Sequence, residues 1–317
     1  MATMRTIRFH RYGEPADVLL LEDATVPSPG TDRVRVRVHA CGLNPADWAL
    51  CRGLFAGDLP RGIGLDVSGT VEAVGQGVTD VVIGDRVFGA ADFRDYASAG
   101  ASDYAILAHW ALVPEGLDLV EAAALPMAVE TACRSLDNLR VESRHTVLVH
   151  GAGTTVGFAA VQMALMRGAR VIATAGDTFA GRLRALGATV TAYGEGMVQR
   201  VGEIAGGAPD LILDTGPVSG VLPDLVMIAG GDPRRVFTIS DHAEAAKLGV
   251  RNSFGEPATL RYDVLGEFAK LAAEGRFKVP VVRPFQLEDW REALDLSQGG
   301  HAHGKTILLP ASAADKS

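Results

Sequence analysis

The chain reads as an α/β protein in two parts: a β-rich, barrel-like first third and a doubly wound parallel sheet behind it. Three observations predict this. Residues 33–39, Arg-Val-Arg-Val-Arg-Val-His, alternate strictly, which is the period of a half-buried antiparallel strand. Asp66 to Gly75 and Gly84 to Gly89 are short valine-rich runs punctuated by glycine, the pattern of a barrel built from short strands. Residues 146–168 pass from an apolar strand through a glycine turn into a helical pattern, and strand and helix then alternate, as in a parallel sheet covered by helices.

The elements follow in order. Val26-Pro27-Ser28-Pro29-Gly30 is a turn before the alternating strand. Gly42-Leu43-Asn44-Pro45-Ala46-Asp47 opens a loop that leads into a short helix through Leu50. A helix from Val129 to Leu139 precedes the strand Thr146–His150. Further candidates are 189–192, 197–205, 210–214, 219–229 and 235–239, with the last strand expected near one end of the sheet. A helix 264–273, a strand 281–287, a helix near 288–298 and a closing strand 305–309 end the chain, apart from a polar tail, 311–317.

Length and composition bound the class. At 317 residues two domains are expected, and 48% hydrophobic with 21% charged residues describes an ordinary globular chain. A net charge of −8 argues against nucleic acid or an anionic membrane surface as partner. Met1 to Arg5 runs into Ile7 and Phe9 without an apolar leader, and no stretch is long enough to span a bilayer. Cys41, Cys51 and Cys133 form no disulfide framework and fit a reducing compartment, so a cytoplasmic protein is expected.

The glycine turn carries the chemistry. Gly151, Gly153 and Gly157 follow a buried strand and open a helix whose N-terminal N–H groups favour a pyrophosphate. A strict G-x-G-x-x-G needs glycine where Val156 stands, so a close-packed turn without nucleotide is the competing reading. The next strand ends in Thr174-Ala175-Gly176, small neutral groups at the tip where a ribose 2′-hydroxyl would need a carboxylate, with Asp177 slightly beyond. With Arg182 and Arg184 on the following helix, NADPH is expected in preference to NADH.

These segments together resemble the medium-chain dehydrogenase/reductase superfamily, in its zinc-free quinone oxidoreductase (zeta-crystallin-like) branch. The resemblance rests on Gly42 to Trp48, Gly64 to Val71, Gly84 to Val87, Leu125-Pro126 with Thr131-Ala132, the glycine loop, Arg184 to Ala188, and Gly304-Lys305. It implies a GroES-like β-barrel catalytic domain (1–122, with 263–317 returning to it) and a Rossmann cofactor domain (123–262), the cofactor lying between them. It also implies a homodimer and adds Thr131, Tyr193 and Lys305 to the cofactor contacts Gly151, Gly153, Thr154, Thr155, Val156, Gly157, Thr174, Gly176 and Arg182. Tyr193 is expected near the adenosine 2′-phosphate. Thr154 and Thr155 bind phosphate, or only cap the helix.

In the zinc-dependent branch a cysteine stands where this chain has Asn44, and a Gly-His-Glu triplet where it has Gly64-Leu65-Asp66. Catalytic zinc needs about three protein ligands, and Leu65 has no donor atom, so no metal is expected. Asn44 and Asp47 are the candidate catalytic residues, the Asn44 amide donating to an acceptor carbonyl or holding the cofactor. The competing reading makes Asn44-Pro45 a turn and Asp47 a helix cap. Two departures stand out: Ala49 where the branch carries tyrosine, and threonines at 154 and 155. His150 reads as a packed histidine, His301 and His303 as solvent-facing, and Cys133 as core.

The function expected is reduction of a quinone or α,β-unsaturated carbonyl by NADPH. The alternatives are an enoyl reductase of a polyketide-type pathway and a non-enzymatic NADPH-binding protein. Loops 53–63 and 90–102, expected to line the outer pocket, carry no decodable motif.

Overall fold

The alternating and glycine-punctuated runs become a closed barrel. A computed structural model describes residues 2–255, 259–300 and 302–310. They divide into two compact units, Met1–Met127 with Tyr262–Ser317, and Ala128–Arg261.

In the first unit β1 (Thr3–Phe9), α1 (Pro15–Val18), β2 (Leu19–Thr25), β3 (Val34–Gly42), α2 (Pro45–Cys51), β4 (Arg61–Gly62), β5 (Asp66–Val74), β6 (Arg86–Ala91) and β7 (Tyr104–Leu112) follow one another. Strands β2, β1 and β4 form a small antiparallel sheet. Strands β3, β5, β6 and β7 lie side by side in that order, and β7 pairs back onto β3, which closes the barrel. Val34, Val36 and Val38 point into its core with Val67, Val71 and Val87, as the alternation requires. Register shifts between Arg35 and Val36 and between Val38 and Ala40 bend β3 around the barrel.

After α3 (Leu119–Ala122), α4 (Pro126–Asn138) starts three residues earlier than Val129, because a proline suits the first helical position. The second unit then runs β8 (Thr146–His150), α5 (Thr155–Met166), β9 (Arg170–Thr174), α6 (Asp177–Ala185), β10 (Thr189–Thr191), α7 (Met197–Ala205), β11 (Leu211–Asp214), α8 (Leu222–Ile228), β12 (Val236–Thr238), α9 (His242–Leu248) and β13 (Arg251–Asn252). Its six strands are all parallel, in the order β10-β9-β8-β11-β12-β13. Counted within the unit this is 3-2-1-4-5-6, the doubly wound dinucleotide order. The strand expected at 235–239 lies one place inside the edge, and the two-residue β13 forms the edge itself. Phe237, fully buried, requires cover on both sides.

The chain closes with α10 (Leu265–Ala273), β14 (Phe285–Gln286), α11 (Trp290–Gln298) and β15 (Ile307–Leu309). The strand expected at 281–287 shrinks to β14, because Pro284 lacks the N–H that a ladder needs. β15 lies antiparallel on β3, with Ile307 opposite Gly42 and Leu308 opposite Cys41. The tail 311–317 and His301 lie outside the described residues; His303 is exposed. Among the described residues no helix is long and apolar enough to cross a membrane.

The β3–β5 pairing leaves no room at Gly69, where an added Cβ would lie 2.1 Å from the Arg37 carbonyl oxygen. Gly69→Ala is expected to destabilise the fold by about 1–3 kcal/mol, the usual cost of overpacking, read as a lower urea midpoint.

Candidate active site

Candidate residues gather at two places, one in each unit. In the second unit the strand order reverses between β8 and β11, the topological switch point of the sheet, where ligands of such folds bind. Gly151 turns the chain there with φ +72°, and a side chain would meet the Gly216 amide nitrogen at 2.5 Å. Its N–H donates to Thr174 Oγ1 (3.2 Å) and the Ala152 N–H to the Thr174 carbonyl (3.0 Å), so the turn is tied to the tip of β9.

Thr154 is the N-cap of α5, its hydroxyl accepting the Gly157 N–H at 3.0 Å. Helical geometry thus starts at Thr155, and the tightly packed glycine falls at 157 instead of 156. A Cβ on Gly157 would stand 2.4 Å from the Gly151 carbonyl oxygen. Val156 is therefore tolerated, since the close approach has moved one residue along. The first-turn N–H groups of a helix, here those of Thr155 and Val156, have no intrahelical acceptor and lie at its positive end.

The adenosine-side candidates converge on the same turn. A Cβ on Gly153 would be 3.1 Å from the Phe179 ring, and the Arg182 guanidinium lies 5.8 Å from that ring's centroid. A Cβ on Gly176, the N-cap of α6, would be 3.6 Å from the Tyr193 hydroxyl. Arg200 holds the Tyr193 loop through bonds to Thr191 Oγ1, the Ala192 carbonyl and the Glu195 carbonyl. Thr131 lies on α4. Its hydroxyl donates to Glu130 Oε2 (3.1 Å), within a cluster where Glu130 pairs with Arg134.

His150 is buried, with Nδ1 2.9 Å from Thr174 Oγ1, and burial pushes its imidazole down to about 4. It is a neutral packing group that helps hold Thr174. Sequence reasoning missed Asp214 and Thr215, at the end of β11. Thr215 Oγ1 lies 2.8 Å from the His150 carbonyl and 3.0 Å from that of Gly151. Asp214 accepts from Thr238 Oγ1 and the Gly216 N–H, and burial pushes its carboxyl up to about 6. The signal was Leu-Ile-Leu-Asp-Thr-Gly at 211–216: polar residues ending an apolar strand beside a glycine.

In the first unit Asn44 and Asp47 lie at the N-terminus of α2, both buried. Asp47 Oδ2 accepts the Asn44 N–H (2.7 Å) and Oδ1 the Gly64 N–H (2.6 Å). Burial pushes this carboxyl up to about 7, against the two N–H groups, which favour the ionised form. Asn44 forms a capping box with Asp47, and its amide also reaches beyond the helix. Oδ1 accepts from the Lys305 ammonium, while Nδ2 donates to Asp66 Oδ2 (3.1 Å) and to the Gly42 carbonyl at 3.4 Å. Lys305 Nζ also pairs with Asp66 Oδ2 at 2.6 Å, and the Met127 N–H reaches Asp66 Oδ1 at 3.0 Å. Burial pushes the Asp66 carboxyl up, opposed by Lys305.

Lys305, expected among the cofactor contacts, is thus a buried partner of Asn44 and Asp66. The reason is the β15–β3 pairing, in which the Leu43 N–H bonds the Thr306 carbonyl and sets Lys305 beside Asn44. Asn44 and Asp47 are both buried, with their side-chain polar atoms bonded inside this corner of the barrel. A zinc ion does not fit the donor set, because an ammonium already bridges Asn44 and Asp66 and Leu65 has no donor atom. Among the described residues no group of three or more His, Cys, Asp or Glu side chains is placed to hold a metal ion. Cys41, buried at the end of β3, has its thiol pushed well up by burial.

Comparison with known proteins agrees with this architecture. Residues 30–118 match the alcohol dehydrogenase GroES-like domain family and residues 186–308 the zinc-binding dehydrogenase family. A quinone oxidoreductase of Rattus norvegicus is 39% identical over 179 residues, 55% of this chain and 53% of that protein. The chain therefore spans about half the length of such curated relatives. A chloroplast envelope quinone oxidoreductase homolog of Arabidopsis thaliana is 28% identical, over 97% of this chain and 98% of its own. The structure of the quinone oxidoreductase from Coxiella burnetii superposes with a TM-score of 0.76 at 26% identity, covering 98% of this chain and 100% of its own.

Two outcomes follow from the geometry. Lys305→Met strands the Asp66 carboxylate and is expected to cost about 3–5 kcal/mol, while adding Asp66→Asn restores part of the loss, measured by urea unfolding of both variants. His150, depressed from 6.5 to about 4, binds its proton less readily folded than unfolded. Its contribution is complete above about pH 6.5 and is lost as pH falls towards about 4; His150→Asn, which does not titrate, should flatten that part of the melting-temperature profile.

Proposed function

The chain belongs to the medium-chain dehydrogenase/reductase superfamily, and from that premise we propose that it reduces quinones with NADPH, without metal. One observation carries the reading: the Lys305 ammonium stands between Asn44 and Asp66, where the zinc-dependent branch presents metal-binding and neighbouring groups. An acceptor that is already electrophilic needs no Lewis acid.

A dihydronicotinamide, when bound, supplies a hydride; with one proton from water this converts a quinone to its hydroquinone. The chain's part is to bind and orient. The first turn of α5 and the Gly151–Gly157 turn fit a pyrophosphate, and Gly176, Tyr193 and Arg182 fit the adenosine ribose. The carboxylate-free tip of β9 favours a 2′-phosphate over a free 2′-hydroxyl. Asn44 and Asp47 act as positioning residues, since their polar atoms are taken up inside the barrel. A quinone suits such a site, because the oxyanion left by hydride addition takes its one proton from water without a protein acid. Cytoplasmic location and a homodimer belong to the same proposal.

Titration calorimetry should give tighter binding of NADPH than of NADH, and Arg182→Ala should narrow the difference. Equal affinities in the wild-type protein would overturn the cofactor assignment. NADPH oxidation is expected with quinones, unaffected by chelators. Turnover confined to enoyl thioesters would establish the enoyl-reductase alternative, and NADPH binding without turnover on either acceptor class the non-enzymatic one.

A further inference from the structure

Residues 53–63 and 90–102, without a motif, meet in the first unit in a stack that nothing above employs. The Arg94 guanidinium carbon lies 4.6 Å from the centroid of the Phe55 ring and 5.3 Å from that of Phe93. The two rings are 6.3 Å apart and tilted by 45°. Phe55 is 41% exposed and Arg94 is exposed as well.

The stack is held from below. Phe55 has a left-handed backbone, φ +52°, which a bulky side chain adopts only when its surroundings enforce it. Arg61, itself buried, donates from Nη1 to the Phe55 carbonyl (2.5 Å) and from Nη2 to the Phe93 carbonyl (3.3 Å). One guanidinium therefore clamps both segments. Tyr12 adds a second anchor, its hydroxyl bonding the Gly57 N–H and carbonyl at 2.7 and 2.8 Å. The frame is shared with the Asn44 corner. Asp47 holds Gly64, three residues beyond Arg61, and Phe55 follows the end of α2, a helix about 10 Å long that starts next to Asn44.

We propose that Arg94, laid across Phe55 and Phe93, is a specificity-determining contact, and that it selects planar acceptors carrying an anionic group such as a sulfonate or carboxylate. This rests on the quinone-reductase reading and names its substrate class. The cation–π contacts fix the guanidinium plane without using its N–H edge, and that forked edge matches an oxyanion. The adjacent carboxylate of Asp92 is turned to Arg33 at 2.6 Å, and among the described residues no carboxylate pairs with Arg94. The exposed Phe55 ring, with the partly buried Phe93 ring beside it, offers apolar area for the flat face of the same ligand.

The test compares 1,4-naphthoquinone-2-sulfonate with neutral 2-methyl-1,4-naphthoquinone under NADPH. In Arg94→Gln the ratio of kcat/KM for the anionic over the neutral acceptor is expected to fall about tenfold, the worth of one charge-assisted hydrogen bond. Phe55→Ala, which frees the guanidinium, should lower it by a smaller factor. A ratio within about twofold of wild type in Arg94→Gln, with its melting temperature kept, would overturn the proposal. Should wild type reduce neither quinone, the parent reading fails, and equilibrium binding of naphthalene-2-sulfonate decides the site alone. Binding weakened about tenfold by Arg94→Gln upholds it, and unchanged binding refutes it.

Discussion

The buried ion pair between Lys305 and Asp66 is the constraint on which the first unit depends. Two charges removed from water are stable only if their remaining hydrogen-bonding capacity is met. Here Asn44 supplies both an acceptor for the ammonium and a donor for the carboxylate, and the Met127 N–H takes the other carboxylate oxygen. Four stretches far apart in sequence are locked together this way: the entrance to α2, the start of β5, the start of α4 and the returning C-terminal strand. The pairing of β15 on β3 is its geometric precondition, because it delivers Lys305 to the corner where Asn44 begins the helix.

The second unit solves a different problem by different means. The glycine turn of its candidate site is held by backbone and neutral side chains: the Gly151 turn, the Thr154 cap, Thr174, Thr215 and an imidazole kept neutral by burial. Such groups leave the positive end of α5 uncompensated, which is what an anionic cofactor requires. A cap one residue later than the strict glycine spacing costs nothing here, since the close helix–strand approach moves with it to Gly157.

Much of this was legible in the sequence. Strict alternation at 33–39 could only be a strand with one buried face, and an apolar strand, three glycines and an amphipathic run could only open a βα unit. Strands β1, β2 and β7 went unread because their burial does not alternate cleanly; Ala105, Ile106 and Leu107 are buried consecutively where β7 closes the barrel between two neighbours. Motif resemblance named Lys305 and Thr131 but not their neighbours Asp66 and Glu130, because a motif records that a residue type recurs and not what stands beside it.

By itself, then, the sequence determined the two-part α/β architecture, the glycine turn with its helix, the missing carboxylate at the tip of β9 and the missing donor at Leu65, because each is a matter of local pattern or residue chemistry. Tertiary structure alone decided that Asn44 faces Lys305, that the second oxygen of the capping Asp47 takes the Gly64 N–H, and that Phe55, Phe93 and Arg94 stack over a clamp made by Arg61. These contacts join segments as far as 261 residues apart. Their partners are chosen by strand register and loop path, which are set by the packing of the whole barrel and by no short stretch of the chain.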